Sequence, residues 1–302
     1  MHRVKVFYSD TFNLNLPPGH RFPGNKYGKL RHALLQQKIL SEDMMLASEL
    51  IDDAALLRAH SPEYVASIDD GTINPSAMRR IGFPWSEHIA LRARATMGGA
   101  VAAARAALDD GVSGQLAGGT HHAHYDFGSG YCVFNDFAVA ALALLAEEAV
   151  SKVAIIDLDV HQGDGNGAIL SPREDVFVLS IHGEKNFPFR KVTSDLDLNL
   201  PDGVEDKEYL SALAGVLPAV WEFKPDIVLY QAGVDPLKED RLGRMALTHE
   251  GLMARDRLVL SECKKRGLPV SIAIGGGYAN PIDASVAAYA NTWRAAKDVW
   301  GF

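Results

Sequence analysis

One run of residues constrains this chain more than any other: Val153-Ala154-Ile155-Ile156-Asp157-Leu158-Asp159-Val160-His161. It starts as an apolar, β-branched stretch, which suits a strand buried on both faces of a parallel sheet. It then turns polar at every second residue. A strand has a period of two, so a strand continued through Val160 puts Asp157, Asp159 and His161 on one face. Neighbouring Cα atoms of that set stand roughly 6.6 Å apart, two rises of about 3.3 Å. Side chains converging from there reach a single cation. Two carboxylates in an apolar strand are costly unless a cation or several donors compensate them. The same residues also fit a blander arrangement, with the carboxylates capping loop amides and the histidine simply satisfied. A metal needs a further ligand from elsewhere in the chain.

Strand patterns recur at residues 4–8, 114–118, 152–160, 176–182, 226–231 and 270–274. Helical patterns lie between them at 27–37, 62–68, 86–108, 135–149, 207–223, 248–265 and 282–299. Ser86, Asp136 and Thr248 stand where helix N-caps are expected. Strands recurring with helices between them imply an open parallel sheet with helices on both faces, a three-layer α/β fold. The chain has 302 residues. That length alone allows about two domains, but no repeat, linker or low-complexity run divides it. One catalytic domain over residues 1–302 is expected.

Several partners are excluded by what the chain lacks. The net charge is −8 and there is no basic tract, which argues against nucleic acid or an anionic membrane. The charge would tolerate a cationic substrate. No apolar run approaches the roughly 18 residues of a membrane span. Residues 1–8 read as a first strand rather than a secretory leader. Two cysteines, Cys132 and Cys263, make no disulfide framework and fit a cytoplasmic protein. Oligomeric state is not legible.

Polar residues gather after the strands. Gly118-Gly119-Thr120-His121-His122-Ala123-His124-Tyr125-Asp126 follows one, Asp159-Val160-His161 another, Gln231-Ala232-Gly233-Val234-Asp235 a third, and Gly275-Gly276-Gly277-Tyr278 the last. Open parallel sheets bind ligands in the crevice at the strands' carboxyl ends. Asp159, His161 and Asp235 offer zinc two oxygens and one imidazole nitrogen. Three protein ligands with an open position mark a catalytic rather than a structural site, and zinc there lowers the pKa of a bound water to about 7. His121 and His122 are candidates for general base and acid. Asp157 and Asp164 are candidates for fixing histidine tautomers. The three glycines permit close backbone approach, and the Tyr278 hydroxyl suits an oxyanion. The sum is a metal-assisted hydrolase of a carbonyl compound, most naturally an amide. The turn-rich segments 10–26 and 183–202 are long enough to shape the mouth of such a site. A rival exists: Gly163-Asp164-Gly165-Asn166-Gly167-Ala168 fits G-x-G-x-x-A after a strand, the outline of a dinucleotide fingerprint. Against it, Asp164 would set a carboxylate beside a pyrophosphate.

Together, GTHHAHYDFGSGYCVFND, DLDVHQGDGNG, QAGVDPLKED and GGGY resemble the zinc-dependent histone deacetylase family, of the arginase-deacetylase fold. The resemblance runs from about Tyr8 to Trp293. It implies zinc, or iron(II), on Asp159, His161 and Asp235. It makes His122, paired with Asp164, the principal general base and acid. It gives His121, paired with Asp157, an electrostatic role, and sets Tyr278 to polarise the scissile carbonyl. Gly130, Tyr131 and Phe187 match the wall of an acyl-lysine tunnel. A structural potassium ion would take oxygen from Asp157, Asp159, His161, Ser180 and Ile181. Gln162 stands where many members carry a second histidine, and this HQG sequence is similar to class IV members. Tyr131 stands where phenylalanine is commoner. The expected substrate is an N-acyl-lysine peptide or protein, with acetyl or a longer acyl group. An acetylpolyamine is the alternative.

Overall fold

The structure is a computed structural model and describes residues 4–302. Residues 1–3, part of the expected first strand, lie outside the described residues.

Eight parallel strands form one sheet. They are β1 (Val6–Tyr8), β2 (Met45–Ala47), β3 (Val112–Gln115), β4 (Val153–Asp157), β5 (Val176–Gly183), β6 (Leu196–Leu200), β7 (Ile227–Gln231) and β8 (Val270–Ala273), in the order β2-β1-β3-β8-β7-β4-β5-β6. Alternate residues of β4 enter opposite cores. Val153 and Ile155 pack with α5 (Glu87–Asp110) and α6 (Asp136–Ala146). Ala154 and Ile156 pack with α1 (Lys26–Gln36), α8 (Asp206–Phe223), α9 (His249–Arg266) and α10 (Asp283–Trp300). This is the three-layer arrangement that the alternating pattern implied. An aliphatic side chain buried this completely contributes about 1.5–3 kcal/mol, so β4 is a rigid base for the polar residues at its carboxyl end.

The helices start and stop for local reasons. Ser86 Oγ accepts from Ile89 N at 3.3 Å, and Gly111, with φ of 77°, ends α5. Thr248 caps α9 by accepting from Gly251 N at 3.0 Å. The expected cap at Asp136 is displaced by one residue. Asn135 caps α6, accepting from Ala138 N at 2.9 Å, while Asp136 is the first helical residue and is fully buried.

Two strands and three short helices are additional to the sequence-based outline. β2 has three residues at one edge of the sheet, and β6 lies at the other edge inside a segment read as a loop. The helices are α2 (Asp53–Leu56), α4 (Pro75–Ile81) and α7 (Asp164–Leu170); α3 spans Pro62–Asp69, close to expectation. β4 also stops earlier than its sequence pattern suggests. The ladder ends at Asp157, and Asp159 N then turns back to donate to Asp157 Oδ1 at 3.2 Å. Asp159 and His161 therefore reach the site from a turn, not from alternate positions on an extended strand.

Candidate active site

The four motif-bearing strands β3, β8, β7 and β4 are direct neighbours in the sheet. Their carboxyl ends open into one cavity of about 430 Å³. His121, His122, Asp159, His161, Asp235 and Tyr278 all line it. Gly130, Tyr131 and Phe187, expected as tunnel wall, line it too.

Asp159, His161 and Asp235 are buried, and one potential ligand atom from each lies within 4.8 Å of the others. His161 Nδ1 is 3.0 Å from Asp159 Oδ1 and 3.0 Å from Asp235 Oδ2. The backbone fixes both carboxylates: Gly276 N donates to Asp159 Oδ2 at 2.7 Å, and Val160 N donates to Asp235 Oδ1 at 2.9 Å. Burial raises the pKa of Asp235, and the neighbouring charge on Asp159 raises it further. Two carboxylates this close in a dry site are not both ionised without a compensating cation. For His161, burial works to lower the pKa, but the two carboxylates outweigh it and hold it near 10. A proton on Nδ1 thus sits where positive charge is required. Two oxygens and one imidazole nitrogen converging in this way fit a divalent ion such as zinc.

The two adjacent histidines occupy different environments. His121 Nδ1 pairs with Asp157 Oδ2 at 2.8 Å, and its Nε2 is 3.8 Å from Asp159 Oδ1. Burial opposes its charge, yet Asp157 and Asp159 prevail and raise it to about 9. His122 Nδ1 pairs with Asp164 Oδ1 at 2.6 Å. Burial, reinforced by the cationic His121, lowers His122 to about 4 despite that carboxylate. Burial tends to raise Asp164, but its bonds to His122 and His124 keep it well below the usual carboxylate range. An ionised Asp164 can only accept, so His122 carries its proton on Nδ1 and leaves Nε2 as the basic nitrogen. One imidazole is held cationic and its neighbour neutral, with ring centroids 4.1 Å apart.

The loop bearing both histidines is pinned by Asp136, which accepts from Gly119 N and Thr120 N, each at 2.8 Å. This positioning role was not visible in the sequence, where Asp136 looked like a cap. Tyr278 follows the three glycines. A Cβ on Gly276 would lie 2.0 Å from Asp235 Oδ2, so that close approach requires glycine. Tyr278 N donates to Asp240 Oδ2 at 2.5 Å, and its carbonyl accepts from Arg241 Nε at 2.9 Å. Both ends of the residue are anchored while its ring lines the cavity.

Sequence reasoning missed Lys26 and Phe22. Lys26 opens α1 and is buried, with Nζ donating to Gly277 O at 3.3 Å and to Tyr289 Oη at 3.1 Å. The ammonium is 4.8 Å from the centroid of the Tyr278 ring and also lies over Phe22, Tyr27 and Tyr289. Phe22 stacks obliquely on Tyr131 at 5.1 Å and narrows the cavity. The sequence marked residues 10–26 as shaping the mouth but singled out neither side chain, because the Lys26 hydrogen-bond partners Gly277 and Tyr289 come from the far end of the chain. Gln162 is explained by the mouth. Its Nε2 donates to Val192 O at 2.7 Å and Asp197 Oδ1 at 2.8 Å, tying the 184–195 segment to the site.

The glycine-rich run 163–168 has another use than binding phosphate. The free amides at the start of α7 are already spent, with Gly165 N and Asn166 N donating to His121 O at 2.8 and 3.3 Å. A Cβ on Gly165 would lie 2.2 Å from Ala123 O. The glycines let α7 pack against the histidine loop, which leaves no space for a pyrophosphate. Ser180, adjacent in register to Asp157 across β4 and β5, is buried and bonded to His182 Nδ1 at 2.9 Å. No helix among the described residues is long and apolar enough to cross a membrane.

Known proteins resemble this chain in sequence and in fold. The Histone deacetylase domain family matches residues 20–294. An uncharacterized protein of Picosynechococcus is 43% identical over 296 residues, covering 98% of this chain and 99% of that protein. Histone deacetylase 2 of Arabidopsis thaliana is 27% identical over 292 residues, covering 92% of this chain and 75% of that one. The crystal structure of an HDAC homolog complexed with SAHA superposes with a TM-score of 0.83 at 26% identity, over 99% of this chain and 88% of that one.

Proposed function

Because this chain belongs to the histone deacetylase domain family, we propose that it is a single-domain, zinc-dependent hydrolase that releases the acyl group of an N-acyl-lysine. Zinc, or iron(II), held by Asp159, His161 and Asp235 would supply Lewis acidity toward water and toward the amide carbonyl. The chain's own residues do the rest. His122, neutral at working pH, takes the proton of the attacking water on Nε2 and returns it to the departing lysine nitrogen. Asp164 keeps that nitrogen unprotonated beforehand by occupying Nδ1. His121, kept cationic by Asp157, places positive charge beside the developing negative charge. The Tyr278 hydroxyl donates to the former carbonyl oxygen, where negative charge grows during attack. Gly130, Tyr131 and Phe187 hold the lysine methylenes. Oxygens of Asp157, Asp159, His161, Ser180 and Ile181 would hold a structural potassium ion under the site.

The observation that supports this most is the convergence of two separate His–Asp pairs on the Asp159–His161–Asp235 cluster, inside one cavity. Elemental analysis together with hydrolysis of an N-acetyl-lysine peptide tests it. About one divalent ion per chain is expected, and Asp235→Ala should lose both the ion and the activity while melting as a folded protein. A metal-free protein with full activity ends the reading.

A further inference from the structure

The walls of the active-site cavity carry a charge bias that the reaction itself does not require. The carboxylates among its lining residues, Asp159 and Asp235, are buried at the floor with the catalytic groups. The exposed charged residues of the wall are all cationic: Arg80, Lys185 and Arg244. They come from three unrelated segments, the end of α4, the turn after β5 and the loop after β7. Arg80 has no carboxylate partner among the described residues; its guanidinium lies 4.8 Å from the centroid of the Phe127 ring. Lys185 has no ion pair among the described residues. Arg244 is partly spent on Asp202 at 3.2 Å. Glu184 is the exposed acid beside this group in sequence, and it is not part of the wall. The positive mouth therefore stands out on a chain of net charge −8. Phe189, 84% exposed, and Leu242, 45% exposed, add apolar surface at the same opening.

We propose that this rim selects N-acyl-lysines flanked by acidic residues and rejects cationic substrates. The inference rests on the deacylase reading for the acyl-lysine itself, but the discrimination is a property of the mouth. A peptide threading one lysine into the cavity must lay its neighbouring residues across the rim. Aspartate or glutamate there meets two unpaired cations and one half-paired cation. Lysine or arginine meets like charge, and so does a polyamine. Basic, histone-tail-like segments are the disfavoured class. The chain's overall acidity, which would tolerate a cationic substrate, is overruled locally, because charges beyond about 8–10 Å are screened at ordinary ionic strength.

Two fluorescent peptides test this. Both carry a hydroxamate in place of the acyl amide, so they bind and are not turned over. They differ only in having Asp and Glu, or Lys and Arg, at the two positions on each side. On the metal-loaded protein in 50 mM salt, the acidic peptide should bind roughly tenfold tighter, as a few exposed ion pairs allow. The ratio should collapse toward one in 0.5 M salt. Lys185→Glu and Arg80→Glu should each reverse or abolish it. A ratio cancels any general loss of affinity in a variant. Equal binding, preference for the basic peptide, failure of both to bind, or a ratio untouched by both charge reversals overturns the proposal. Hydrolysis of the matching acetyl-lysine peptides separates the two claims. Cleavage without discrimination sinks the rim inference alone, whereas discrimination in binding without cleavage of either peptide sinks the deacylase reading alone.

Discussion

Lys26→Met should stabilise the protein and impair it at once. Burial lowers the lysine from 10.5 to about 8, although Asp235, Asp240 and Asp159 all favour the charge. That fall makes protonation in the folded state costlier than in water by about 3 kcal/mol. Methionine fills similar volume and carries no charge. The substitution leaves Gly277 O without its donor, at a cost of about 1–3 kcal/mol; Tyr289 Oη retains its bond to Gly275 O at 3.2 Å. The balance at pH 7 lies between zero and about 2 kcal/mol in favour of the variant, a rise in Tm of up to roughly 3 °C in a chain of 302 residues. The pH dependence fixes the sign. Between about 8 and 10.5 the unfolded chain holds a proton that folded Lys26 has released. The parent therefore gains stability as pH rises through that window. The variant has no such gain, so its advantage is full below pH 8 and fades toward pH 10.5. Thermal melts of both proteins across this range, taken as a difference, isolate Lys26. A divalent ion on Asp159 and Asp235 offsets the carboxylates that support the ammonium and should widen the gap. Activity moves the other way. The ammonium grips the residue before Tyr278 and faces its ring, so its loss should cost roughly 10²-fold in kcat, as a misaimed catalytic group does. A variant that melts lower than the parent at pH 7, or a difference that is flat with pH, would refute the reasoning.

Tyr278→Phe should lower kcat on an N-acyl-lysine peptide by roughly 10²–10³-fold, about 3–4 kcal/mol, as loss of an oxyanion donor does. Metal content and Tm should hold, since the backbone anchors at Asp240 and Arg241 are untouched; a parental rate would dismiss the oxyanion role. Asp164→Asn should cost at least roughly 10²-fold in kcat by freeing His122 to adopt the wrong tautomer. Hydroxamate affinity should change far less, and equal losses in both would point to structural damage instead.

Much of the site was legible because the sheet does the sorting. Strands β4, β7 and β8 announce themselves as apolar runs, while β3, Val112-Ser113-Gly114-Gln115, is largely polar and starts two residues before the expected 114–118; parallel order brings the carboxyl ends of all four to one side. Any polar residue just past each run is then a neighbour of the others, which is how His122 and Asp235 could be joined across more than a hundred residues. What failed to show was whatever depends on edges or on reach. β2 is three residues long, too short to show a pattern, and β6, although Leu196-Asp197-Leu198-Asn199-Leu200 alternates, lies half-exposed within a turn-rich segment read as a loop. α7 looked like a phosphate loop because packing against the His121 carbonyl and wrapping a nucleotide both call for glycines. Lys26 was invisible because a lone lysine in a polar segment is ordinary until four aromatic rings close around it.

The division of labour between His121 and His122 was expected from the family resemblance, but its physical cause was beyond the sequence, and it depends on more than the two residues. Both are buried, both have a carboxylate at Nδ1, and the rings touch. Two imidazolium ions cannot coexist at that separation, so one must lose its proton. His121 keeps its proton because a second carboxylate, Asp159, lies 3.8 Å from its Nε2, whereas His122 has no second acid within that range among the described residues. Asp159 also belongs to the cluster fit for a metal. An ion there would compete with the His121 imidazolium for Asp159, while Asp157 remains bonded to His121 Nδ1 at 2.8 Å. Filling the cluster and protonating His121 are therefore linked through one carboxylate shared between them.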